Sequence, residues 1–464
     1  MTKQTGRKSS RARLNDLVST LREEILSGRR AAGEFLPSEK AFAELHNLSN
    51  QSVRKGLELL LAEGLIEKIP RVGSKVLGRP LEGKPTVKLG FHTSITSEGQ
   101  LGELVARFHK EHPDILVQPV PMPHSSFGHI KQYLTGGILD AVMLNYNDFQ
   151  DFAETAQLDL LEPLRRNPEV YPFLSDAFTV EGTQRVQPFI FSPLVLCYNR
   201  QHLLERQLPE PDSSWTWDVL VEQAGKLAMP GERLGFHCDL LSPNRWPLLP
   251  LQLGVRVDRR PDGSIRLAGT RMMDALRTCR DIKQRLPLLS EITTGQSEQL
   301  LAKGKVSIIM TSYFYLNYLL REHVPFDLAP VPHFGTPSTL LLNIGLGVNR
   351  VSPVKEAAIR LVDYFTAYET QLLIRKTTYS LPALKQAAEW QGEETMYRPS
   401  RFSLFRETIP GFRYFTDLGL TASELGEINR EVKLYWADLE SEDTFCTRME
   451  AHLSASGVAI EARP

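Results

Sequence analysis

Residues 48–66, LSNQSVRKGLELLLAEGLI, admit few folds. Val53, Leu57 and Leu60 recur at three- and four-residue spacing, which places them on one face of a helix. Ser49 precedes that stripe and suits an N-cap, because its hydroxyl can accept from the first free N–H groups. Gly64 ends the stripe and can take the left-handed conformation that stops a helix. The opposite face then offers Asn50, Gln51, Arg54 and Lys55. Upstream, Leu14, Leu17, Val18, Leu21, Ile25 and Leu26 predict a first amphipathic helix ending near Gly28. Ser38, just after Pro37, predicts the start of a second helix with an inner stripe of Ala41, Phe42 and Leu45. Residues 46–48 form a short turn between the second and third. Downstream, LIEKIPRVGSKVLG alternates around a glycine turn and predicts a two-stranded hairpin.

Three helices, a short turn and a hairpin make a winged helix-turn-helix. Its third helix can enter the major groove with N-terminal residues on base edges. Asn and Gln suit paired hydrogen bonds to adenine, and Arg54 suits guanine or phosphate. Arg71 and Lys75 of the wing can reach phosphate or minor groove. Charge agrees with this. Residues 1–80 hold 15 Lys and Arg against 9 Asp and Glu, whereas the remainder holds 39 against 46. A basic head on an acidic body points the head towards a polyanion.

The head, from about residue 14 to 76, resembles the DNA-binding domain of GntR-family regulators. The resemblance runs through LREEILSG, LPSEKAFAEL, LSNQSVRKGLELLLAEGLIE and the glycine wing. It implies double-stranded operator DNA as partner, with contacts from Lys40, Ser49, Asn50, Gln51, Ser52, Arg54, Arg71 and Gly73. Family members commonly carry Arg at the second helix start and Arg-Thr after the serine. Here these are Lys40 and Asn50-Gln51, so the usual operator sequence does not carry over.

Residues 78–86, GRPLEGKPT, read as a linker. Beyond it, VKLGFH, LVQPVPM and LDAVMLNY read as strands, separated by helical stretches in GQLGELVARFHKEHPDI and FGHIKQYLTGG. Strands alternating with helices predict an α/β sheet of mainly parallel strands, with ligands beyond the strands' carboxyl ends.

This body resembles the sugar-binding receptors of bacterial ABC importers, similar to maltose-binding protein, from residue 86 to about 390. The resemblance is carried by GGILDAVMLNYNDFQDFAETAQLDLLEPL, by LVLCYNRQHLLERQLPEPDSSWTWDVLVEQAGKLA and by LLAKGKVSIIMTSYFYLNYL, in the family's order. It implies a two-lobed α/β periplasmic-binding-protein type II body over residues 87–464. One lobe would take about 87–191 and 343–370, the other about 192–342 and 371–464. The crossings would lie near residues 189–193 and 342–345, with a lobe closing on ligand by hinge motion. Carried over by position, the site takes Thr93, Ser94 and Glu98 after the first strand and Asn145, Tyr146, Asn147 and Asp148 after the third. Phe191 and Ser192 lie at the first crossing and Asn343 at the second. Asn244, Arg245 and Trp246 come from SPNRWPLL, and Ser312, Tyr313 and Tyr315 from MTSYFY. Trp246 and Asp148 lead this set, since sugars need an apolar face and polar groups for hydroxyls. Trp215 and Trp217 sit at a helix start and read as packing. Where the family has Gly-Gly before the second crossing this chain has Leu-Asn, and Ser-Tyr-Phe replaces its G.W loop, so the sugar itself does not carry over.

The chemistry of an enzyme is missing: no GxSxG, HExxH or Walker loop occurs, and the histidines show no metal-ligand spacing. An aminotransferase-like body, which GntR-type heads also carry, would need a Schiff-base lysine with an Asp partner, and no such pair stands out. Four scattered cysteines read as reduced thiols, and the polar, basic start MTKQTGRKSSRARLNDL lacks the apolar core of a secretion signal. The expectation is a cytoplasmic, non-enzymatic, cofactor-free homodimer. A basic arm (1–13), a DNA-binding head (14–77) and a linker (78–86) lead into a sugar-sensing body with no membrane partner. The alternative is a receptor component of a carbohydrate importer.

Overall fold

The computed structural model describes residues 10–26, 30, 33–69, 73–77, 84–122, 127–261, 263–286, 295–322 and 324–455. Arg71, most of the linker and most of the basic arm lie outside them.

The head has the expected three helices and hairpin, although its first helix begins at Ser10, within the stretch expected as the basic arm. Helices α1 (Ser10–Leu26), α2 (Glu39–His46) and α3 (Asn50–Ala62) are followed by strands β1 (Ile66–Ile69) and β2 (Gly73–Val76), paired antiparallel. Ser38 caps α2 by accepting from Ala41 N–H at 3.2 Å, and Ser49 caps α3 by accepting from Ser52 N–H at 3.1 Å. Gly64 turns the chain after α3 at φ +66°, a conformation that costs glycine nothing. Leu17, Val18, Leu21 and Ile25 of α1 pack with Phe42, Val53, Leu57 and Leu60 in one core. The stripe of α2 differs from expectation: Phe42 and Ala43 face inward, while Leu45 is 76% exposed. In a helix of eight residues the period leaves two candidate faces about 100° apart, and the packing of α1 and α3 chooses between them. Arg22 of α1 clamps Glu63, just past α3, with Nε and Nη2 at 2.8 and 2.6 Å from the two carboxylate oxygens.

Chain contacts divide the protein into two compact units, one of residues 1–93, 101–142 and 348–361, the other of 94–100, 143–347 and 362–464. Beyond the head, the first unit holds strand Thr86–His92 paired in parallel with Leu116–Met122 and with the start of Ala141–Asn145. Helix Leu101–Glu111 buries Leu101, Leu104, Val105 and Phe108. Asp140 ties this unit together, accepting from Lys88 N–H at 2.8 Å and from Ser352 Oγ at 2.6 Å. His109 is built in rather than loose on the surface: its Nε2 accepts from Val117 N–H at 2.8 Å.

The second unit is built around strand Val186–Asn199, buried along all 14 residues. It pairs antiparallel with Val306–Ser312, Phe326–Ala329 and Thr339–Val348. Val306–Ser312 in turn pairs in parallel with Leu234–His237. The two expected crossings meet here in register, Asn343 opposite Phe191 and Leu342 opposite Ser192. The register shifts between Ile344 and Gly345. A Cβ on Gly345 would stand 2.5 Å from Val186 Cγ1 and 2.7 Å from Gln187 O, so only glycine allows this approach. Residues 143–191, expected in the first lobe, make their densest contacts with this unit. Trp215 and Trp217 pack in its core, with Trp217 Nε1 donating to Gln252 Oε1 at 2.8 Å. The last seventy residues contribute helices Ala422–Trp436 and Glu442–Ala455.

Candidate nucleic-acid interface and ligand site

On the head, the capped starts of α2 and α3 bring together Lys40, Asn50, Gln51, Arg54 and Lys55, all exposed. Helix N-termini present unpaired N–H groups and positive dipole ends, which suit phosphate. Ser52 is engaged in the cap, its hydroxyl 2.8 Å from that of Ser49. Gly73 opens β2 at φ +141°. Arg54 does not hang free. Its Nε and Nη2 lie 3.1 and 2.9 Å from Glu39 Oε2, and Lys68 Nζ of the wing lies 3.2 Å from Glu39 Oε1. The Arg54 guanidinium holds the Glu39 carboxyl below its usual range.

Within the second unit, polar groups gather around Tyr315. The Arg245 guanidinium lies 5.3 Å from the Tyr315 ring centroid and donates to Asn244 O at 2.9 Å. Glu98 is buried, accepts from Ser94 Oγ at 3.1 Å, and burial pushes its carboxyl up to about 7. Glu298, also buried, accepts from Thr311 Oγ1. Both carboxylates and Arg245 act on the Tyr315 phenol, which burial pushes up to about 12. Burial also raises the Glu298 carboxyl, with the Thr311 hydrogen bond and the charge of Arg245 pulling the other way. Burial favours the protonated form of both carboxyls, which can donate as well as accept. Such an arrangement can exchange hydrogen bonds with a polyhydroxyl ligand.

Other expected residues fall elsewhere. Asn145 is exposed and caps the helix Tyr146–Glu154, its Oδ1 accepting from Asp148 N–H at 2.9 Å. Asp148 is raised to about 7 by burial and by the charge of Asp151. Tyr146 bonds Thr416 Oγ1 at 2.9 Å, and its ring centroid lies 4.2 Å from that of Tyr414. Asn343 Nδ2 donates to the Tyr414 hydroxyl at 3.0 Å. Thr93, an exposed turn residue, belongs to the first unit. Phe191, Ser192, Tyr313 and Trp246 have no exposed surface. They therefore pack against protein here, and the rings of Phe191, Tyr313 and Trp246 present no open face for stacking. Phe191 stands edge-on to Tyr171, Phe173 and Phe405, and Tyr313 donates to Phe402 O at 2.9 Å. Trp246 sits in the core, yet its Nε1, like Ser312 Oγ and Asn343 Oδ1, finds no hydrogen-bond partner among the described residues.

Sequence reasoning missed Glu298, Tyr414 and His237. His237 ends a strand, is fully buried and has both ring nitrogens unpartnered among the described residues. Only the folded sheet shows its place, at the end of a strand parallel to the one that ends in Ser312. Glu298 and Tyr414 carry no local pattern. A further group, Glu427, Glu431 and His452, brings three ligand-type atoms within 4.8 Å of one another, which no histidine spacing foretold. Arg430 and Arg448 already pair with its two carboxylates.

Comparison with known families decides the class. Residues 103–397 match the family model for bacterial extracellular solute-binding proteins. The chain belongs to that family. Residues 15–76 match the model for bacterial regulatory proteins of the gntR family, so this solute-binding protein carries a GntR DNA-binding head. The transcriptional regulator TreR of Bacillus subtilis is 34% identical over 112 residues. That match spans 22% of this chain and 44% of the regulator, so under half of TreR is represented. Among solved structures, the chain resembles an ABC substrate-binding protein of Listeria monocytogenes in complex with cycloalternan. The TM-score is 0.68 at 18% identity, covering 80% of this chain and 99% of that one. The GacH receptor of Streptomyces glaucescens gives 0.67 at 16% identity over 80% and 98%. Maltose-bound MalE3 of T. maritima gives 0.66 at 20% identity over 80% and 100%. The body thus has the two-lobed fold of those receptors.

Proposed function

We propose that this chain is a sequence-specific transcription regulator acting in the cytoplasm, whose solute-binding body senses a sugar or oligosaccharide and changes operator binding. One observation carries the reading: a GntR head and a solute-binding body occupy one chain. Lys40, Asn50, Gln51 and Arg54 read the operator, Ser49, Ser52 and Gly73 contact it beside them, and Arg71 of the wing reaches phosphate or minor groove. Arg245, Glu98, Ser94 and Tyr315 hold sugar hydroxyls. Asn244, Thr93, Asn145, Asn147 and Asp148 belong to the same reading, as do Tyr146, Ser312, Trp246 and Asn343 once the ligand has opened their surroundings. The chain works as a homodimer, because paired heads at a set spacing suit two-fold operators and ligand can alter that spacing. Neither catalysis nor a cofactor enters this role.

The extracellular character of the body's family favours a second reading, the receptor component of a carbohydrate importer. A GntR head has no task there, which ranks it below the first. Among the described residues no helix is long and apolar enough to cross a membrane.

The test is a thermal-melt screen of the full chain against mono-, oligo- and acidic sugars, followed by operator binding with and without any hit. A ligand at a hundred times its Kd adds about 2.7 kcal/mol. Arg245→Ala removes that shift while DNA binding without ligand persists. A body that melts cooperatively and shifts with no sugar ends the sugar reading. A sugar that shifts the melt but leaves operator affinity unchanged ends the sensing role.

A further inference from the structure

One carboxylate in the head serves three elements. Glu39, the first residue of α2, receives Arg54 from α3 and Lys68 from β1. Glu39 is 24% exposed, and Arg54 and Lys68 are 58% and 56% exposed. Ion pairs this open to water contribute little to stability. The arrangement therefore calls for another explanation, and its geometry suggests one.

Arg54 spends its Nε edge on Glu39, with Nε at 3.1 Å and Nη2 at 2.9 Å from the same oxygen. Nη1 makes no hydrogen bond among the described residues, so the end of the guanidinium, Nη1 with the second N–H of Nη2, remains available. Two N–H groups side by side are what guanine O6 and N7 accept in the major groove. An arginine on a flexible stem, left unsupported, reaches equally well for the nearest phosphate, which carries no sequence information. A carboxylate bonded to its Nε edge removes that freedom and points the end outward. The same carboxylate draws Lys68 towards the recognition helix and so ties the wing strand to it.

We propose that Glu39 is a specificity-determining positioning residue, which holds Arg54 as a reader of one base pair and restrains Arg54 and Lys68 from binding phosphate indiscriminately. This rests on the reading of the head as an operator-binding domain. It separates two roles within one motif: Arg54 touches the base, and Glu39 acts only through Arg54 and Lys68.

The experiment selects bound duplexes from a random double-stranded library with the full wild-type chain, Glu39→Gln and Arg54→Ala, and sequences them. A fixed duplex of unrelated sequence is then titrated across salt concentrations. Glu39→Gln is expected to lose roughly tenfold preference at the same base pair that Arg54→Ala loses. It is expected to bind the unrelated duplex as tightly as wild type or more tightly, with a salt slope steeper by up to about two ions, one for each cation released. A purely structural role would move the melting temperature and not the identity of the base pair affected. The proposal is overturned if Glu39→Gln keeps wild-type preference at that pair. It is equally overturned if Arg54→Ala loses no preference anywhere, since Glu39 then has no reader to position, although the regulator reading survives. A wild-type chain that selects no sequence removes operator reading altogether, and the proposal with it.

Discussion

At the residue scale, environment rather than identity decides what a side chain does. Arg22 and Arg54 are both arginines of the head that meet a glutamate at hydrogen-bond distance. Glu63 is 4% exposed, and burial raises its pKa even with Arg22 bound. Glu39 is more open to water, and the hydrogen bond from Arg54 lowers its pKa. The two pairs should therefore respond differently to truncation. Arg22→Ala leaves a buried carboxylate unpaired and is expected to cost about 2 kcal/mol. Hydrogen exchange at α1 and α3 amides in the whole chain would register it as faster local opening, and unchanged protection would show that water replaces the guanidinium at no cost. Arg245 and Glu98, two of the residues proposed to hold ligand, were singled out by position in the sequence alone. The burial of Trp246 was not legible, because a tryptophan in a loop reads the same whether its ring is open or packed.

At the element scale, caps and turns do most of the specifying. Ser38 and Ser49 stand where the apolar stripes begin, and each accepts from an N–H three residues on. Ser49→Ala is expected to weaken α3 by about 1 kcal/mol, seen as a lower denaturation midpoint of the head, with Ser49→Asp retaining the cap. If both variants unfold like wild type, the tertiary contacts of Val53, Leu57 and Leu60 hold the helix start without help. These elements were legible because their signals lie within a turn or two of the residues they govern. The face of α2 was not, since two turns give too few periods to fix its direction. The pairing of Val186–Asn199 with four other strands, Leu381–Pro382 among them, was not legible either, because a run buried on all sides carries no alternation.

At the scale of the whole molecule, the notable feature is a set of acids held above their ordinary pKa within the second unit. Glu98, Asp148 and Glu154 are each raised to about 7 and Asp151 to about 6, all chiefly by burial. Glu154 also accepts from Ala422 N–H at 2.8 Å, which pulls the other way. In each case the folded pKa lies above the unfolded one, so the folded state holds more protons between about pH 4 and 7. The contribution of these groups is fully present below their unfolded pKa and is lost as pH rises through about 7. The chain is therefore expected to melt higher at pH 5.5 than at pH 8, with Asp148→Asn narrowing the difference by raising the pH 8 value. An Asp148→Asn chain that melts like wild type at both pH values would mean that water reaches this carboxylate freely.

The sequence by itself determined the class of each part. Three capped stripes and a glycine wing specify a winged helix-turn-helix, because helix caps and faces depend on residues three or four positions apart. The alternation of strands and helices in the body specifies an α/β sheet for the same reason. Only the tertiary structure decided which polar groups share a site and which aromatic rings are closed. Tyr146 meets Thr416 across 270 positions of sequence, and Asn343 meets Tyr414 across 71. Contacts at that range depend on the packing of whole elements, which no local pattern encodes. The sharing of Glu39 between Arg54 and Lys68 is of the same kind: each residue is ordinary in its own helix or strand, and only the folded head places all three at one carboxylate.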